Sequence, residues 1–167
     1  AFTNRKLNTE HQNICVSRPR RFGKSMAANM LVAYYCKNID SKDMFSGFKI
    51  AEDETFEKHL NKYNVIHINM IDFLTRAESI DDLIDYLQRR LLWDIRKEYS
   101  DVECFDWNDL VDVLETIYSE KKQSFVIIID EWDSIFRKYP DNVEEQKKHL
   151  DFLRFFIKGK SYVALAY

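Results

Sequence analysis

Two short stretches of this chain combine residue types suited to phosphate chemistry. Arg18 to Ser25 reads RPRRFGKS and follows Asn13-Ile14-Cys15-Val16-Ser17, a stretch of strand character. A strand, a turn and then Gly-Lys-Ser opening a helix is the layout of a phosphate-binding loop. The chain has only three glycines and two prolines, and Gly23 and Pro19 both fall in this turn. Phosphate is held by backbone N–H groups, which converge only where the backbone turns tightly. With a triphosphate over the loop, the first amides of the helix and its dipole would face the anion. Lys24 would reach the β- and γ-phosphates, and the Ser25 hydroxyl would ligate a Mg²⁺ riding on them. The candidate contact residues are Arg20, Arg21, Phe22, Gly23, Lys24, Ser25 and Met26.

The second stretch, Phe125-Val126-Ile127-Ile128-Ile129-Asp130-Glu131, is an unbroken apolar run ending in two carboxylates. Apolar residues on both faces suit a buried parallel strand. Acids at its C-terminal end stand where open α/β sheets bind ligands. In a nucleotide hydrolase Asp130 would hold the Mg²⁺ shell, and Glu131 would orient and deprotonate the attacking water. Each stretch also has a bland reading: a basic surface turn for the first, a buried strand with a solvated acidic turn for the second. Their order along the chain, each behind a strand, favours the joint nucleotide-binding reading. One departure stands out, because GxxxxGK[ST] asks for glycine at position 18 and the chain has Arg18.

The elements around these residues follow from pattern. A helix is expected over about residues 24–37, then a polar connection from Ser41 past Gly47. Asn64 to Met70 reads as a strand. Ser79 is a good N-cap for a helix whose Ile80, Leu83, Ile84, Leu87, Leu91 and Ile95 share one face. Another helix spans about 106–120 with Leu110, Val113, Leu114 and Ile117 inward, and one spans about 143–158 with Leu150, Leu153, Phe156 and Ile157 inward. Gly159 stops the last helix, and Tyr162 to Tyr167 forms one more strand. Strands alternating with helices mean an α/β fold with a parallel sheet.

Composition narrows the class. A chain of 167 residues, 46% apolar and 32% charged, supports one globular domain with a real core. A net charge of −3 argues against a surface built for nucleic acid, although Arg18, Arg20, Arg21 and Lys24 form a local basic patch that a nucleotide alone explains. Cys15, Cys36 and Cys104 lack paired spacing and read as reduced thiols of a cytoplasmic protein. No run approaches membrane-spanning length. His11, His59, His67 and His149 are scattered and make no obvious ligand set.

The strings VSRPRRFGKSM and VIIIDEWD, with a strand near NVIHINM between them, resemble the AAA-ATPase-like family of bacterial proteins. The resemblance spans nearly the whole chain and makes Arg18 a family habit. It implies a P-loop NTPase with an added-strand, AAA-like parallel sheet. It implies Lys24 and Ser25 on phosphate and Mg²⁺, Asp130 at the metal and Glu131 at the water. It implies the strand order loop strand, Tyr162 strand, acid strand, Asn64 strand. Its members are often fused to a PD-(D/E)xK nuclease-like domain, whose signature this chain lacks. By the same resemblance the chain is expected to be the N-terminal core of a longer protein, with a polar sensor residue past Tyr167.

The reading is therefore an ATP-binding, Mg²⁺-dependent ATP-hydrolysing domain. An alternative is a nucleotide-responsive module that self-associates with little turnover, and a phosphotransferase ranks below both. ATP rather than GTP rests on the resemblance. Asp72 could face the site or cap the segment after its strand. Trp132 reads as a packing anchor, and Asp133 as an orienting or capping residue.

Overall fold

The computed structural model describes residue 3 and residues 6–7, 12–16 and 23–167. The chain divides into two compact units: Ala1–Ile68 with Ser124–Asp130 and Val163–Tyr167, and Asn69–Gln123 with Glu131–Tyr162.

The first unit holds an all-parallel three-stranded sheet, β1 (Asn64–Asn69), β2 (Phe125–Asp130) and β3 (Val163–Ala166), in the order β1-β2-β3. Burial along each strand explains its place. β1 alternates, with Ile66 and Ile68 buried and His67 exposed between them, as befits an edge strand. Val126, Ile127 and Ile128 of β2 and Ala164 and Leu165 of β3 are all fully buried, as central strands require. β2 and β3 pair in the register Val126 with Leu165 and Ile127 with Ala166.

The far side of β3 is occupied too. Asn13 forms a parallel bridge to Ala166, with Ile14 N–H donating to the Ala166 carbonyl (2.8 Å) and Ala166 N–H to Gln12 (3.0 Å). The strand ahead of the loop is thus reduced to a bridge, and the order across the sheet is this segment, β3, β2, β1. That is the order the resemblance implied.

Helix α1 (Lys24–Tyr35) packs on β2, with Ala28, Tyr34 and Tyr35 in one apolar cluster with Val126, Ile128, Ala164 and Leu165. Two short helices follow, α2 (Lys42–Phe45) and α3 (Phe56–His59), with a 3₁₀ turn at Lys49–Glu52 between them. The connection expected to be merely polar therefore has structure. Its cause is Phe45 and Phe56, both buried and packed on Tyr34 at ring distances of 5.4 and 5.7 Å.

The last carbonyls of α1 need partners outside the helix. Asn61 supplies partners for Ala33 and Tyr34, and for Cys36 just beyond the helix. Its side-chain amide donates to the Ala33 and Cys36 carbonyls (3.0 and 2.9 Å), and its backbone N–H donates to Tyr34 (2.7 Å). Its side-chain oxygen accepts from the Ser41 amide and hydroxyl (3.3 and 3.2 Å). Tyr63 N–H donates to the Tyr35 carbonyl (2.9 Å). Asn61 sits at φ 53°, a left-handed conformation that asparagine tolerates better than most residues.

The second unit is helical: α4 (Met70–Leu74), α5 (Ile80–Glu98), α6 (Leu110–Lys121), α7 (Ser134–Lys138) and α8 (Val143–Ile157). α5 packs against α4, α6 and α8. Ser79 caps α5, its hydroxyl accepting from Asp82 N–H at 3.1 Å. Asp109 caps α6 by accepting from Val111 and Asp112 (2.8 and 3.1 Å). Ile80, Leu83 and Leu87 of α5 and Leu110, Val113, Leu114 and Ile117 of α6 are fully buried. On α8 the inward residues are His149 and Phe156, whereas Leu150, expected inward, is 37% exposed. Gly159 at φ 69° follows the end of α8. Among the described residues no helix is long and apolar enough to cross a membrane.

Replacing Asn61 removes two donated bonds from partly buried carbonyls as well as a residue suited to its backbone. Asn61→Ala is expected to cost about 2–4 kcal/mol in urea unfolding. Asn61→Gly, which restores the backbone freedom alone, should recover only about 1 kcal/mol of that.

Candidate functional site

The topology directs the candidate residues of the first unit toward one edge of its sheet. The C-terminal end of α1 is tied to the N-terminal edge of β1, through Lys37 N–H to the Tyr63 carbonyl (2.9 Å) and the parallel bridge of Cys36 with Tyr63. α1 therefore runs back across the parallel strands. Its N-terminus, with Gly23, Lys24 and Ser25, lies toward the edge where β2 ends in Asp130. The segment before the loop runs parallel to β3 and finishes at that edge as well.

Gly23 sits at φ 74°, ψ 21°, the left-handed region open to glycine without steric cost, and it is the N-cap of α1. Gly23 has no side chain with which to cap this helix, and the first turn carries no acid. Helix geometry leaves the amides of Lys24, Ser25 and Met26 without acceptors inside α1, because the first helical bond runs from Ala27 N–H to Gly23 (2.9 Å). Such a terminus suits an anion. Ser25 is exposed, Lys24 is half-buried, and Met26 is 70% exposed. Arg20, Arg21 and Phe22 lie outside the described residues, as do Arg18, Pro19 and His11.

Among the described residues no group of three or more His, Cys, Asp or Glu side chains is arranged to hold a metal. Ser25 and Asp130 offer one hydroxyl and one carboxylate. That small set fits Mg²⁺, which keeps waters and takes its remaining ligands from phosphates. Tyr167 follows β3 and lies beside the acid strand, its carbonyl accepting from Ile129 N–H at 2.7 Å. Burial, reinforced by the charge of Asp130, raises the pKa of its phenol. Tyr167 carries no motif signal, and its position depends on the register of β3.

Glu131, the next residue, opens a turn of the second unit and has a left-handed backbone at φ 53°. Its carbonyl accepts from Ser134 N–H at 2.9 Å, and Asp133 stands at the N-cap of α7 without capping through its side chain. The guanidinium of Arg137 bonds the Glu131 carboxylate with one nitrogen and Asp133 with the other, at 3.1 Å for Asp133. Arg137 was not among the expected site residues. Its spacing of four from Asp133 was visible in the sequence, but its pairing with Glu131 requires the turn. Asp72 is exposed in the first turn of α4, and Asn69, not Asp72, caps that helix.

Trp132 packs edge-on against Phe136 at 5.9 Å, and its carbonyl bonds His149 Nε2 at 2.9 Å. A carbonyl only accepts, so Nε2 carries the proton. The buried Nδ1 then has no hydrogen-bond partner among the described residues. Burial lowers the His149 pKa below its ordinary 6.5, with the Trp132 bond opposing.

A family model described as a predicted AAA-ATPase matches residues 3–164. The chain belongs to that family. No curated protein and no solved structure matches it. Membership of the predicted AAA-ATPase family agrees with the α/β architecture, with the strand order and with a glycine-led helix terminus at the acid edge of the sheet.

His149 gives the protein an acid-side sensitivity. Its folded pKa is depressed, so its contribution to stability is complete above about pH 6.5 and is lost as pH falls below that. His59, also lowered by burial, acts in the same direction. His149→Gln should flatten the fall in unfolding free energy between pH 7 and 5 by up to about 1.4 kcal/mol per pH unit. An unchanged slope in that variant would show that His149 is not its source.

Proposed function

We propose that this protein binds ATP with Mg²⁺ and hydrolyses it. The observation that carries the reading is the placement of Gly23-Lys24-Ser25 at the end of α1 nearest the edge where β2 ends in Asp130. The open amides and dipole of α1 would receive the phosphates, and Lys24 would neutralise the β- and γ-phosphate oxygens. Ser25 and Asp130 would hold Mg²⁺, Asp130 through water, and the ion would supply positive charge to offset that of the phosphates. Glu131 would hold the attacking water and take its proton as the bond to the γ-phosphate forms. Arg20, Arg21, Phe22 and Met26 would complete the loop around the phosphates.

Cleavage of the γ-phosphate needs little covalent help, so positioning and charge carry the rate. Family membership supports ATP as the nucleotide.

Two variants test the roles separately. Lys24→Ala should abolish saturable MgATP binding in calorimetric titration. Glu131→Gln should bind MgATP like the wild type and lose roughly 100-fold or more in phosphate release. Turnover at the wild-type rate in the Glu131→Gln protein would remove Glu131 from the mechanism. Tight binding without turnover in the wild type would favour a nucleotide-responsive module instead.

A further inference from the structure

We infer that Arg137 is a positioning residue for hydrolysis, holding the Glu131 carboxylate in the orientation that directs water. The inference rests on the reading of Glu131 as the water-activating carboxylate. Three observations carry it.

The first is the bonding. Arg137 places Nη2 on Glu131 Oε2 and Nη1 on Asp133 Oδ2, the latter at 3.1 Å. A rigid planar fork held at both prongs fixes the direction of each carboxylate, which a flexible ammonium does not do. The Glu131 side chain is only 22% exposed and that of Arg137 35%, so the pair is less open to water than an ordinary surface ion pair.

The second is the backbone. Glu131 holds φ 53°, a conformation that is sterically unfavourable for a non-glycine residue and persists where the surroundings enforce it. The Arg137 bond and the Ser134 N–H bond to the Glu131 carbonyl both act on this residue.

The third is the anchoring of Arg137 itself. Its neighbour Lys138 donates to the Leu74 and Ala77 carbonyls, both at 3.0 Å, and so ties α7 to the end of α4 and the turn after it. Ser134 and Ile135 at the start of α7 are buried. The fork is therefore mounted on a fixed helix rather than on a loop. A water-directing carboxylate must hold its place within about 0.5 Å, and misplacement by about 1 Å can cost roughly 100-fold in rate.

The test compares Arg137→Ala, Arg137→Lys and Glu131→Gln with the wild type by MgATP titration and by single-turnover and steady-state phosphate release. Arg137→Ala should keep MgATP affinity within about twofold and lose roughly 100-fold in kcat. Arg137→Lys, which reaches one carboxylate at a time, should fall between it and the wild type. Added methylguanidinium should restore part of the turnover of Arg137→Ala and none of that of Glu131→Gln. A purely structural ion pair would not give that rescue. Circular dichroism melts identify unfolding; if Arg137→Ala does not fold, Arg137→Lys carries the comparison, and wild-type kcat in a folded Arg137→Lys protein overturns the inference. Wild-type or faster turnover by Arg137→Ala overturns it too, as does a loss matched by lost MgATP affinity. Where Glu131→Gln is inactive and Arg137→Ala is not, only the role of Arg137 fails. Where Glu131→Gln is fully active, or the wild type has no turnover, the underlying reading fails and takes the inference with it.

Discussion

Parallel pairing on both sides of β3 is the constraint on which the first unit depends. Ala166 donates to Gln12 and accepts from Ile14 on one side, while β2 pairs with the same strand on the other. A central strand cannot leave these groups unpaired, because a buried amide or carbonyl without a partner costs about 1–3 kcal/mol. Its side chains agree with its place, since Val163, Ala164, Leu165 and Ala166 are all buried. Because every strand runs the same way, their C-terminal ends share one edge. The chain delivers Asp130 to that edge and leaves the segment before the loop there also.

The direction of α1 then follows from how its ends are satisfied. At its C-terminus, Asn61 and Tyr63 take up the carbonyls of residues 33–36 and lead straight into β1. At its N-terminus Gly23 contributes no side chain, and the first turn has no acid. A helix start whose first amides have no acceptor within the helix suits a phosphate. α5, α6 and α8 show the contrast within the same chain, because Ser79, Asp109 and Asn142 each accept an amide at the helix start. The three longest helices of the second unit are capped by side chains, whereas α1 starts at a glycine.

Long elements with a clear period were legible in the sequence, and short ones were not. β2 announced itself by an unbroken apolar run, and α5 by Ser79 and a stripe of which Ile80, Leu83, Leu87 and Ile95 are buried. α2, α3, α4 and α7 have five residues or fewer, too few to display a 3.6-residue period. Leu150 is exposed although hydrophobicity alone places it inward, because α8 turns His149 to the core, where its Nε2–H donates to the Trp132 carbonyl. The order of the strands came from the resemblance, and the hydrogen bonds of Ala166 account for it physically. At the candidate site, Lys24, Ser25 and Asp130 were legible as motif residues. Arg137 was not, because its pairing with Glu131 spans six residues, a separation that brings side chains together on neither a helix nor a strand.

That pairing depends on the left-handed backbone at Glu131. β2 must end at Asp130 with its acid at the sheet edge, yet α7 begins only four residues later at Ser134. A strand continuing through Glu131 would carry the chain outward. The left-handed residue turns it at once, closes the Glu131 carbonyl onto Ser134 N–H, and brings Asp133 and Glu131 onto one guanidinium. Glycine would adopt this conformation at less cost but would have no carboxylate to offer. The chain instead keeps a glutamate at a position whose backbone favours glycine and holds it with an arginine from the next helix. Placing an acid at a sterically unfavourable position makes physical sense where the carboxylate has work to do there.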